Sequence, residues 1–201
     1  MPKRRNRVGA YELGAIKHSP WGSVQHEERI APGITFVSTA SHGGFKLNED
    51  LNEKIPASMR QQDGWYEEDV DWAIIPIIYP DAFRNDQRAR AITTLKNWRP
   101  QLYERFFEER LSPGESYIKD EQIFRREHKD DYIGMSAYGS WKAGVPPGFV
   151  GVFAGRGGRT AQGRFPEDTA WFLVPENEYD ERSPFGFVID ENQHQRISPL
   201  D

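Results

Sequence analysis

The hydrophobic period of this chain changes twice, and that alternation restricts the folds open to it. Over residues 86–98, Ala89, Ile92, Leu95 and Trp98 recur at helical spacing. Pro100 interrupts the pattern, and Leu102, Phe106, Phe107 and Leu111 continue it on a second helix. Residues 117–130 predict a third, strongly charged helix, followed by a looser region through Trp141 to Pro147. On either side of this helical middle the apolar residues come in β-branched and aromatic runs, at 34–39, 148–154, 169–174 and 185–189, which predict strands. Ala31-Pro32-Gly33 reads as the turn of a hairpin with residues 21–30, and Asn48 as the N-cap of a short helix ending near Pro56. Residues 73–79 fit a buried strand, at an edge or bulge because of Pro76, or a buried helix broken there. Residues 155–159 predict a turn, and residues 175–179 a single helical turn opened by proline. Strands, helices, then strands predict an α+β fold, with a largely antiparallel sheet drawn from both chain ends and a helical middle segment packed on it.

The chain has 201 residues and no cysteine, so disulfides, thiolate zinc sites and thiol nucleophiles are excluded. Aromatic residues make up 13%, enough large rings to offset chain entropy, and one compact domain over residues 21–201 is expected. Residues 1–20 read as a basic, solvated tail. Its Lys3, Arg4, Arg5 and Arg7 can reach phosphate, but a net charge of −5 removes the broad positive footprint of most nucleic-acid binders. No early apolar stretch approaches a signal peptide or a membrane span, so the cytoplasm is the expected compartment, with no membrane partner.

Three places could carry chemistry. Ser41-His42-Gly43-Gly44 sets an imidazole, which titrates near neutrality, beside backbone free to turn or to present amides to an anion. The plain alternative is a structural turn whose histidine bonds locally. Glu67, Glu68, Asp69 and Asp71 form an acidic cluster able to hold a hard cation; on a strand, Glu67, Asp69 and Asp71 would share one face. Most such charge runs are solvated faces. If the chain is an enzyme, His42, Glu68 and Asp69 are the catalytic candidates, and Glu67, Asp69 and Asp71 the metal candidates. Gly155-Arg156-Gly157-Gly158-Arg159 adds a weak phosphate-binding set of Gly43, Gly44, Arg156 and Arg159. An exposed turn between strands explains the same letters, and replacing both arginines is then expected to leave stability nearly unchanged. His42 and the acidic cluster are expected to meet, because neighbouring elements in sequence usually neighbour in space.

The segments 32–44, 65–72, 172–179 and 185–190 together resemble an uncharacterised domain family of bacterial chromosomes, plasmids and phages. The S-H-G-G and Y-E-E-D-x-x-W pieces carry the resemblance most specifically, and it spans roughly residues 21–190. The family brings no established activity, and the resemblance implies a mobile-element context in which small accessory proteins bind host or defence machinery. The leading expectation is a non-enzymatic accessory protein that binds a host or defence protein, with no cofactor required. The alternatives are a small hydrolase or nuclease-like enzyme with a divalent cation, and a phosphate- or nucleotide-binding module.

Overall fold

The structure is a computed structural model and describes residues 16–200. The basic residues at positions 3–7 lie outside the described residues. The chain divides into two compact units, one up to Ser116 and one from Tyr117. The mixed α+β class, the antiparallel pairing, the strands towards both ends and the helices in the middle are as the sequence predicts. The strands of the two ends form separate four-stranded sheets.

The first unit opens with a two-residue pair, β1 (His18–Ser19) and β2 (Gly22–Ser23). Its sheet runs β3 (His26–Ala31), β4 (Ile34–Ser38), β5 (Gly43–Leu47) and β6 (Trp65–Glu67), each strand antiparallel to the next. The predicted hairpin turn is present, with Gly33 at φ +84°, a conformation that favours glycine. Helix α1 (Glu49–Lys54) begins where Asn48 accepts a hydrogen bond from the Leu51 amide at 3.0 Å. Tyr66 on β6 is fully buried, and its hydroxyl donates to Asn52 Oδ1 at 2.7 Å and accepts from the Gln61 amide at 3.1 Å. That satisfied polar contact ties α1 to the sheet inside an apolar core that includes Ile34, Leu47, Ile74, Ile75 and Leu95.

Residues 73–79 resolve to helix. A 3-10 turn (Asp71–Ala73) runs into α2 (Ile74–Ile78), and the strand reading of this run is overturned. Pro76 falls in the first turn of α2, where a missing N–H costs little, so it does not break the helix. Helices α3 (Asn85–Trp98) and α4 (Pro100–Phe107) follow, with proline at the first position of α4. The buried side of α3 is Ala91 and Leu95, whereas Ala89 is exposed and Trp98 is 46% exposed. Leu111 lies beyond α4, which ends at Glu108 in the left-handed conformation; its amide donates to Glu104 Oε1 at 2.9 Å.

The second unit begins with α5 (Tyr117–Glu127), and its sheet has the order β10-β9-β8-β7. These strands are β7 (Tyr132–Tyr138), β8 (Phe149–Arg156), β9 (Thr169–Pro175) and β10 (Gln195–Ile197), with the short helix α6 (Glu176–Asp180) after β9. Strand β7 stands within the stretch read as loose. A register shift between Gly134 and Ser136 breaks its alternation, which hides it from a period-two reading. The predicted strand at 185–189 is not one. It runs beside β7 through a single bridge, Ile133 to Val188, and through hydrogen bonds from Gly134 to Phe187 and from Ile189 to Tyr132. Tyr132, Val150, Val152, Ala154, Ala170, Phe172 and Val174 form this unit's own core.

In the first unit, β5 carries a tight constraint. A Cβ on Gly44 would stand 2.3 Å from the Tyr66 carbonyl oxygen and 2.5 Å from Trp21 Cη2. Gly44→Ala is therefore expected to destabilise the first unit by about 1–3 kcal/mol through overpacking. Urea unfolding measures this, and an unchanged midpoint would contradict the packing described.

Candidate functional site

The turn from β4 to β5 holds His42 in place. Thr39 Oγ1 accepts from the His42 amide at 3.1 Å, and both the Thr39 amide and its hydroxyl donate to the His42 carbonyl, at 2.7 and 3.0 Å. Strand β5 then pairs with β6 in the register Gly44 to Glu67, and the Glu68 amide donates to the Gly43 carbonyl at 2.9 Å. This pairing brings the ends of Ser41–Gly44 and of the acidic cluster together. His42 Nδ1 lies 3.5 Å from Glu67 Oε1, and donor atoms of His42, Glu67 and Glu68 all lie within 4.8 Å of one another. His42 and Glu68 are exposed and Glu67 is half-buried. One imidazole and two carboxylates are a donor set that can hold a divalent cation or form a surface ion pair.

The other acidic residues go elsewhere. β6 ends at Glu67 and the 3-10 turn starts at Asp71, so Glu67, Asp69 and Asp71 do not share a strand face. Asp69 uses its amide to donate to Glu67 Oε2 at 3.1 Å, and its carboxylate lies outside the three-residue group. Asp71 accepts from Gln61 Nε2 at 2.8 Å and pairs with Arg99 at 3.4 Å, beside a groove lined by Arg60, Gln61 and Leu102. Gly43 and Gly44 are not a flexible, amide-presenting loop. Both are buried strand residues, and their lack of a side chain makes room sideways: a Cβ on Gly43 would stand 2.6 Å from Glu68 Oε2.

Arg156 and Arg159 belong to the second unit and each is used within it. Gly157 and Gly158, at φ +69° and +75°, make the predicted turn, but Arg156 is the last residue of β8. It donates to Asp168 Oδ2 at 3.0 Å, to the Asp130 carbonyl at 2.8 Å and to Glu191 at 3.3 Å, and stacks 4.0 Å above the Tyr132 ring. The exposed-turn reading therefore fits Arg159, which is exposed, and not Arg156, which is half-buried. The Tyr132 hydroxyl also donates to Asp168, and that bond followed by the Arg156 bond holds the Asp168 carboxyl below the usual carboxylate range. Arg159 donates to the Gly163 carbonyl at 3.1 Å, lies 4.4 Å over Phe165, and lines a cavity of about 150 Å³ with Arg125, His128 and Phe124.

The face of the second sheet opposite its core holds a feature that the motifs did not reveal. Trp141, Tyr138, Trp171, Phe153 and Phe165 form an unbroken row of rings, with successive centroids 5.9, 5.6, 5.2 and 5.3 Å apart. Phe153 and Trp171 are direct cross-strand partners. The ends of the row are open, Trp141 at 77% and Phe165 at 53% exposure. Lys142 sits 5.8 Å over Tyr138 at one end, and Arg159 caps Phe165 at the other. The signal was present as Phe153 and Trp171 on the strand positions that alternate with the core-facing Val152, Ala154, Ala170 and Phe172.

The Asp168 network has a pH signature. Because its folded pKa is depressed, its stabilisation is present above the unfolded value of about 3.9 and is lost as pH falls through the lower folded value. Melts of the native chain and Asp168→Asn should differ at neutral pH and converge in strong acid. A gap that stays constant into strong acid would contradict the network.

Among the described residues no helix is long and apolar enough to cross a membrane. No curated protein and no solved structure matches the chain significantly. A family described as a domain of unknown function, DUF7007, matches residues 14–129, which takes in the described first unit and α5. With more than half of its residues matched, the chain belongs to this uncharacterised family.

Proposed function

We propose that the protein is a non-enzymatic accessory protein of phage or plasmid type, acting in the cytoplasm by binding a host or defence protein through the aromatic face of its second sheet. The observation that carries this reading is the five-ring row from Trp141 to Phe165, open at both ends. Large rigid rings offer contact area at low conformational cost, and tryptophan, tyrosine and arginine are the residues most often found at the energetic centre of protein interfaces. The net charge of −5 favours a protein partner over a polyanion.

A metal-dependent hydrolase or nuclease-like enzyme is the second reading, favoured by the convergence of His42 with Glu67 and Glu68. That group is largely exposed, and the cavity and the groove described above are lined by other residues. Enzyme sites are usually clefts that enclose their substrate, and this group lines neither concavity, so the binding reading stands first. The phosphate-binding alternative is weakest, since Gly43 and Gly44 are enclosed in a strand and Arg156 is held by carboxylates.

The test is cross-linking and co-purification from bacterial host cells with the native chain and with Trp141→Ala/Phe165→Ala. The expected outcome is one defined partner whose affinity falls roughly 30-fold or more in the variant, since an interface anchor costs about 2 kcal/mol or more on truncation. Equal recovery by both chains would overturn the assignment of the surface. Quenching of Trp141 fluorescence by a single-stranded oligonucleotide, lost in the variant, would instead point to stacked bases as the ligand.

A further inference from the structure

We propose that His42, Glu67 and Glu68 bind one divalent first-row transition cation, zinc above all, at the open end of the β5–β6 pair. The site is independent of the aromatic face and needs no catalytic role.

The arrangement is poorly explained as a simple ion pair. A separation of 3.5 Å between His42 Nδ1 and Glu67 Oε1 is long for a hydrogen bond. It is close to the edge of a tetrahedron around a cation with bonds of about 2.0–2.1 Å, which is roughly 3.3 Å. Two carboxylates lie within 4.8 Å of each other and of one imidazole, and among the described residues the only ion pair either carboxylate makes is that of Glu67 with His42. The nearby Lys46 does not supply another, because its ammonium donates to the Asp63 carbonyl and lies 5.1 Å over Trp65. A dication relieves the repulsion between the two carboxylates directly.

The Glu67 carboxylate is held from behind, and the backbone places the other two donors. Glu67 Oε2 accepts from the Asp69 amide, which leaves Oε1 facing the histidine. Glu68 Oε2 occupies space that any side chain at position 43 would take, 2.6 Å from where a Cβ would be. The Thr39 hydroxyl fixes the backbone that carries His42. Such supports orient ligands and raise metal affinity. The chemistry of the donors sets the class of cation: imidazole suits zinc and its neighbours, whereas calcium and magnesium prefer all-oxygen shells. Three protein donors on an exposed surface leave the remaining positions to water, and the cation would tie the β4–β5 turn to the end of β6.

The experiment uses the full chain, stripped of metal, titrated with zinc and separately with magnesium by calorimetry, with thermal melts in parallel. One equivalent of zinc should bind and raise the melting temperature, and magnesium should do neither. His42→Ala and Glu68→Gln, both at exposed positions and so compatible with folding, should each weaken zinc binding by at least about tenfold, the lower end of what loss of a supporting contact alone costs. Absence of zinc binding by the native chain, or equal affinity in both variants, would overturn the proposal.

Discussion

The first unit is organised around two missing side chains in the middle of its sheet. β5 is an interior strand, flanked by β4 and β6, and it begins with Gly43 and Gly44. On one side the space at Gly44 admits Trp21, which meets Trp65 edge-on at 5.5 Å, while the backbone of β6 closes to 2.3 Å from where a Cβ would be. The space at Gly43 takes the Glu68 carboxylate. Glycine in a strand interior has an entropic cost and no packing gain of its own, so its place here follows from what approaches it. The register of β6 on β5, the burial of Tyr66 against Asn52, and the meeting of Glu67 and Glu68 with His42 all depend on that close approach.

The second unit solves a different problem. One face of its sheet packs valines, alanines and Phe172 into a core, and the other carries a row of rings that touch in sequence. Gly151 on β8 pairs with Tyr138 and leaves space that Val145 and Leu200 partly fill, so part of this face is covered by its own chain. What stays open is the pair of ends, Trp141 and Phe165. A fold needs none of the exposure at those two positions, which is why they carry the proposed binding role.

Much of the architecture was legible in the residues. The switch from β-branched runs to helical spacing predicted the middle helices, and Asn48 and Pro100 marked helix starts or breaks correctly. Other features depended on tertiary context. Pro76 suited two readings until the 3-10 turn before it placed it in a first helical turn. Strand β7 was concealed by its register shift, and residues 185–189 have the composition of a strand but pair through one bridge, with Gly186 at φ +140° against Ile133. At the candidate site, adjacency of His42 to the acidic cluster followed from chain order, but the choice among four carboxylates did not. That choice is made by where β6 ends and by Arg99 and Gln61, which draw Asp71 away. The bonds of Arg156 were not legible in the sequence because its partners Asp168, Asp130 and Glu191 are distant along the chain.

The central claim is that the space made by the glycines of β5 gathers His42, Glu67 and Glu68 into one ligand set. Anomalous diffraction at the zinc absorption edge, from crystals of the full chain equilibrated with zinc, tests it most directly. The account predicts a single strong peak within bonding distance of His42 Nδ1 and of both carboxylates, about 2.0–2.2 Å away. A map with no peak there, or with zinc held only by other residues, would contradict it.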